Sequence, residues 1–311
     1  MVEEISEHPL IKGKNTALSR RAATICFYTQ GFCQWAKRDW KTSLEKFLRV
    51  KQILEDNPLI KTDLPKRYIR TLHYIINGQI ELMELDAARA NIALMRALPE
   101  EPGFSGISIA TQVYVAGTIC ELRLLDRSGE HAQAVEMAPE FIAGMEALGE
   151  RLHKEYALEF QWCMACAYFG AGQVNKSLAW LNKVLNDNET TLRQDIFTYA
   201  RLFNLVVHYE LGNYDLLAYI VRSTQRFLDK RQRANGVEVV LIDGIKKLAR
   251  TTDAAQKREL FKILHAQLAE LLNDPNEQLV LKYFDVLAWA EAHATGEAFS
   301  DVVRRRALRS A

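Results

Sequence analysis

Cys163 and Cys166 stand in a C-x-x-C arrangement, the spacing used by a redox dithiol or by one half of a four-ligand zinc site. Either chemistry needs more than the spacing. A zinc site would need a second cysteine pair or a histidine pair nearby, and a redox pair would need a helix N-terminus to hold its thiolate. The motif falls instead inside an apolar helical stretch with no second pair in the chain, so buried structural thiols are the expectation. Gly170-Ala171-Gly172 has the composition of a phosphate loop, but no strand pattern precedes it, which leaves a turn between helices. The 7 histidines are scattered, with none four residues from another. No HExxH, Walker, GxSxG or EF-hand pattern occurs. No catalytic, cofactor-binding or metal-ligating residue is therefore expected.

What remains is binding chemistry, carried by aromatic side chains and by charge. Aromatics recur in helical stretches at Tyr28, Phe32, Trp162, Phe169, Tyr199 and Phe203. Between 130 and 160 seven acids meet two bases, whereas between 222 and 250 eight bases meet three acids. Arg222, Arg226, Lys230 and Arg233 recur at helical spacing and form a basic stripe. Over the whole chain 40 Lys+Arg balance 39 Asp+Glu, which disfavours a molecule built around nucleic acid or an anionic membrane. The opening residues are acidic and lack the apolar core of a signal peptide, and no run approaches membrane-spanning length. The five cysteines are odd in number and sit in apolar stretches, which suits reduced thiols and a cytoplasmic location.

The elements that position these residues form a repeat. Gly and Pro number only 15 and 7 in 311 residues, and 49% of residues are hydrophobic; that composition disfavours sheet folds rich in tight turns and favours long helices. The face Trp40, Ser43, Phe47, Val50 recurs as Ala87, Ala90, Leu94, Ala97. It returns as His131, Ala134, Ala138, Phe141, as Val174, Ser177, Leu181, Val184, and as Tyr214, Leu217, Val221, Thr224. Each face follows a turn, and a first helix precedes each turn, at 15–36, 65–84, 107–126, 154–170 and 192–210. Asp39, Asp86 and Asn213 are expected to cap second helices. Pro58 and Pro99 should stop two of them, and Pro139 should kink or split a third. Farther on, 237–250, 253–272 and 276–294 read as helices, with Thr295-Gly296 ending the last and a short helix at 299–308.

Leu211-Gly212-Asn213-Tyr214 and the stretch from Gly172 through Ser177 to Leu181 resemble the tetratricopeptide repeat, although spacings of 40–47 exceed the strict repeat of that family. Asn57-Pro58-Leu59-Ile60 and Tyr283-Phe284-Asp285-x-x-x-Trp289 are similar to the C-terminal part of longer bacterial proteins with such repeats. The resemblance implies an all-α, right-handed α-solenoid of antiparallel helix pairs. An N-terminal extension would occupy 1–12, five pairs 13–228, and C-terminal helices at 229–311 would cap the same solenoid. Its concave face would carry Tyr28, Phe32, Gln79, Arg123, Glu159, Trp162, Cys166, Tyr199 and Val206. Family members that clamp a carboxylate place Lys and Asn one turn apart there. The pairs here are Tyr28/Phe32, Ile75/Gln79, Ile119/Arg123, Trp162/Cys166 and Leu202/Val206, so that clamp is missing. The expected function is a non-enzymatic scaffold that binds a protein, peptide or helix in its groove. The alternatives are a self-associating structural protein, as a homo-oligomer, and a nucleic-acid-linked regulator that uses the stripe at 222–250.

Overall fold

The computed structural model describes residues 2–12, 17, 19–189, 191–230 and 236–310. The protein is all-helical, with 83% of its residues in helix and no strand among the described residues. In chain order the first helices are α1 (Val2–Glu7), α2 (Pro9–Lys12), α3 (Arg20–Ala36), α4 (Trp40–Glu55), α5 (Pro58–Asp63), α6 (Pro65–Glu81), α7 (Leu85–Ala97) and α8 (Ile107–Arg127). There follow α9 (His131–Leu148), α10 (Lys154–Gly170), α11 (Val174–Leu185), α12 (Gln194–Glu210) and α13 (Tyr214–Lys230). The chain ends with α14 (Gly236–Arg250), α15 (Ala254–Leu271), α16 (Val286–Thr295) and α17 (Phe299–Ser310). Among the described residues no helix is long and apolar enough to cross a membrane.

Two compact units divide the chain. One holds Met1–Leu124 and Gly144–Leu152, the other Leu125–Ala143 and His153–Ser310. In the first, α1 and α2 lie on α3, while α3, α4, α6 and α7 pack successively. Val50, Leu54, Tyr68, Leu72, Ile92 and Met95 are among the residues of its core. In the second, α10 to α17 likewise pack mainly on their neighbours in sequence, and α12 also touches α10 and α14.

Five helix-to-helix turns share one backbone geometry. Five turns join a first helix to a second, and each contains one residue in the left-handed region: Arg38, Met83, Gly129, Gly172 and Gly212. Around each, the same two hydrogen bonds close the helix end. The next residue donates five back, as Asp39 does to Gln34 (3.0 Å), Glu84 to Gln79 (2.8 Å) and Gln173 to Tyr168 (2.8 Å), while the left-handed residue donates three back. This is the Schellman motif, which satisfies carbonyls that a helix C-terminus leaves without partners. Side chains repeat the register too. Ser43 donates to the Gly31 carbonyl (2.9 Å) and Ser177 to the Ala165 carbonyl (2.7 Å), each twelve residues back across its own hairpin. At Gly31 the helices approach so closely that a Cβ would stand 3.0 Å from the Phe47 ring.

Several expectations are corrected. The second pair is displaced by two residues, because its left-handed residue is Met83 and α7 starts at Leu85. Its inner face is therefore Ala88, Ile92 and Met95, all buried, instead of Ala90, Leu94 and Ala97. Asp86 then lies inside the first turn and caps nothing, whereas Asp39 and Asp253 do accept from Thr42 and Gln256 amides. Of the two outcomes expected at Pro139, a kink or a split, the split does not occur, and α9 continues to Leu148. Ala138 and Phe141 beside it are buried, and such burial works against the roughly 3 kcal/mol that the lost amide bond and the ring clash together cost in a helix interior. The expected helix at 276–294 is two elements. A 3₁₀ turn spans Glu277–Lys282, and α16 begins after Asp285, whose carboxylate accepts the Ala288 amide. Gly296 ends α16 in the left-handed conformation at φ 82°.

Candidate functional site

In the first unit α3 and α6 bring together a cluster of aromatic rings. Amphipathic spacing aligns Tyr28, Phe32 and Trp35 on α3, and Tyr74 on α6 meets all three, at centroid distances of 5.9, 6.1 and 5.2 Å. Tyr74 stacks on Phe47 at 4.7 Å beneath them. The cluster is not sealed. Phe32 is 47% exposed and Ile25, seven residues earlier on the same helix, is 49% exposed. Toward the start of these helices Arg67 donates to the Thr24 hydroxyl at 3.1 Å. Burial lowers its pKa, and the neighbouring Tyr28 works against that shift.

Gln79 and Arg123 belong to the same unit but not to this open rim. Gln79 is buried and its amide oxygen accepts from Asn91 at 3.0 Å. Arg123 pairs with Glu81 at 3.0 Å. The displaced register puts His73 and Asn77 where Ile75 and Gln79 were expected. Asn77 is wholly buried, donates to the His73 carbonyl (2.8 Å), and lies 3.6 Å from the Cys120 thiol.

In the second unit α10 and α12 align Trp162, Cys166, Phe169, Tyr199 and Phe203, and the chain covers that face itself. Tyr283 stacks on Tyr199 at 4.2 Å and stands edge-on to Trp162 at 6.3 Å, and its carbonyl receives the Cys166 thiol at 3.7 Å. Phe284 lies against Phe169 (5.3 Å), Phe203 (4.6 Å) and Phe299 (5.5 Å). Trp162 and Tyr199 are consequently 5% and 6% exposed. As placed, neither offers a partner any surface, and the physical reason is the aromatic segment at 283–284 lying over them.

A polar network anchors the cover. The Tyr283 hydroxyl donates to Asp195 Oδ2 at 2.7 Å, and Arg193 holds Asp195 through two nitrogens and Glu159 through a third at 2.8 Å. Burial alone would raise the Asp195 carboxyl, but Arg193, the Tyr283 hydroxyl and the Ile196 amide outweigh it and bring the pKa down to about 2. Burial likewise opposes the charge on Arg193, yet Glu159 and Asp195 raise its pKa on balance. Glu159 thus serves an internal ion pair.

Cys163 and Cys166 are both buried, and burial, reinforced by Asp126 and Cys163, pushes the Cys166 thiol well up. That environment suppresses the thiolate. Among the described residues no cluster of three His, Cys, Asp or Glu could hold a metal ion. Of the basic stripe, Arg222, Arg226 and Lys230 are exposed on α13, beside exposed Leu216 and Tyr219. Arg233 lies outside the described residues.

A concavity in this unit lies at the end of α12. Glu210, at the end of α12, accepts from the Trp289 indole at 2.7 Å and pairs with His293 at 2.6 Å, both on α16. These contacts span 79 and 83 residues, so spacing along the chain carries no signal of them. The chain matches no protein-family model and no curated protein sequence at significant similarity.

Proposed function

We propose that this protein is a non-enzymatic interaction scaffold of tetratricopeptide-like helix pairs, stacked as a solenoid, with its partner surface on α3 and α6. Two features support the repeat reading: five Schellman turns in one register, and helices that pack mainly on their neighbours in sequence. The observation that carries the functional reading is the half-exposed Phe32 beside Tyr74 and Tyr28. Counted from the turn, Phe32 corresponds to Cys166 in α10 and Val206 in α12, both buried. An aromatic left open at a position filled elsewhere in the same chain gives a peptide or helix an apolar anchor.

The test is capture of a protein partner by the full chain, compared with Phe32→Ser and Ile25→Ser variants. Ile25→Ser falls on a half-exposed side chain and should alter stability by less than about 1 kcal/mol, whereas Phe32→Ser also gives up its edge contact with Tyr74 and should cost about 1–2 kcal/mol. Loss of capture by a variant that stays folded at the assay temperature supports the reading. Undiminished capture by both variants would remove α3 as the partner surface.

A further inference from the structure

The pocket that Glu210 lines has a volume of about 580 Å³ and lies within the second unit. Phe169, Trp289 and Phe299 form part of its wall. The Gly170-Ala171-Gly172 turn, whose composition suggests a phosphate loop, lines it as well. Three side chains of fixed charge face it: Glu210, Glu297 and Arg304.

Two of these are already answered. Arg304 donates to Asp301 at 3.1 Å and to the Gly129 carbonyl at 3.0 Å, and Glu297 accepts from Arg305 at 3.1 Å. Glu210 meets no Lys or Arg among the described residues. Its Oε1 takes both the Trp289 indole and His293, and its Oε2 takes neither. The indole is neutral, and the imidazole carries charge only when protonated. His293 is itself held by stacking on Phe261 at 4.2 Å, so the carboxylate is aimed by two fixed rings, neither of which carries a permanent charge. Its side chain is 22% exposed, which leaves it reachable yet partly shielded from water.

A partly shielded carboxylate without a fixed counter-charge, beside the part-exposed Phe299 ring that the buried Phe169 and Trp289 support, attracts a cation with an apolar body and repels phosphate. We propose that this pocket binds an organic cation: a primary ammonium or guanidinium at Glu210, with its stem against Phe299. The volume falls within the range of small-molecule sites and is far larger than a bare ion requires. The ligand chemistry is shared by a free amine and by a lysine side chain of a peptide.

Calorimetric titration of the full chain tests this with phenethylammonium chloride, with 3-phenylpropionate as the anion of similar shape, and with an acetylated, amidated pentapeptide of glycines around one lysine. Saturable binding of phenethylammonium is expected at about 1 mM or tighter, with the anion at least roughly tenfold weaker. Glu210→Gln keeps an acceptor for Trp289 and should weaken ammonium binding at least roughly tenfold. Ala171→Phe adds a ring at a residue that lines the pocket and leaves Glu210 unchanged, and should weaken ammonium binding at least roughly tenfold even if the Gln variant folds poorly. Peptide binding that matches the free amine assigns the cation to a partner's lysine; binding of the free amine alone assigns it to a small molecule. No saturable ammonium binding by about 10 mM, equal binding of the anion, or indifference to both substitutions would overturn the proposal.

Discussion

Trp162→Ala separates a buried aromatic from a recognition residue. The indole is 5% exposed and stands edge-on to Phe203 at 5.5 Å and to Tyr283 at 6.3 Å. Truncation removes the whole ring from a packed environment and leaves a void that its neighbours fill only in part. Changes of that kind cost about 3–5 kcal/mol. The two edge contacts account for about 0.5–1.5 kcal/mol each within that total. For a unit of about 150–250 residues each kcal/mol lowers the melting temperature by about 2–4 °C, so a fall of about 6–20 °C is expected. Thermal melts followed by far-UV circular dichroism measure it, with reversibility checked by a second scan. The stacked ring on the other side supplies a control, since Tyr199→Ala and Tyr283→Ala should couple by about 0.5–1.5 kcal/mol in a double-mutant cycle. A Trp162→Ala variant that melts within about 2 °C of the parent refutes the assignment of Trp162 to the core and reopens α10 as a partner surface.

The two-residue displacement of the second pair predicts that Ile92→Ala costs about 2–5 kcal/mol, because Ile92 is 4% exposed, while Leu94→Ala costs less because Leu94 is only half-buried. Denaturant midpoints decide the order, and the reverse order would restore the undisplaced register. Burial lowers the pKa of His208, whose ring faces the Asn213 amide at 3.0 Å. The unfolded chain therefore takes up this proton first, so the contribution is complete above the unfolded imidazole value of about 6.5 and is lost as pH falls toward the lower folded value. Urea midpoints between neutral and mildly acidic pH should show a decline that His208→Gln makes shallower, and an equal decline in both proteins would exclude His208 as its source.

Residue order alone settles the local features. Helix positions follow from apolar spacing, and the first helices expected at 65–84, 107–126 and 154–170 are observed at Pro65–Glu81, Ile107–Arg127 and Lys154–Gly170. Gly129, Gly172 and Gly212 mark three of the five turns because a left-handed residue without a Cβ avoids strain. The same logic fails at Met83, where a side chain occupies the left-handed position and hides the turn, so the second register slipped and carried Gln79 and Leu94 with it. Asp39 and Asp253 could be read as caps because each bond closes within three residues.

What lies on each face depends instead on contacts distant in sequence. Phe32 and Trp162 read alike along the chain, since both are aromatics on first helices, yet one is half-exposed and the other buried. The difference is made by Tyr283 and Phe284, more than a hundred residues beyond Trp162, and no local pattern marks where they come to rest. Glu210 gains its meaning in the same way, from an indole and an imidazole 79 and 83 residues away. Periodicity states which residues share a helix face. Whether that face meets solvent, another helix or the chain's own return is set by contacts distant in sequence, which burial makes favourable and spacing alone does not encode.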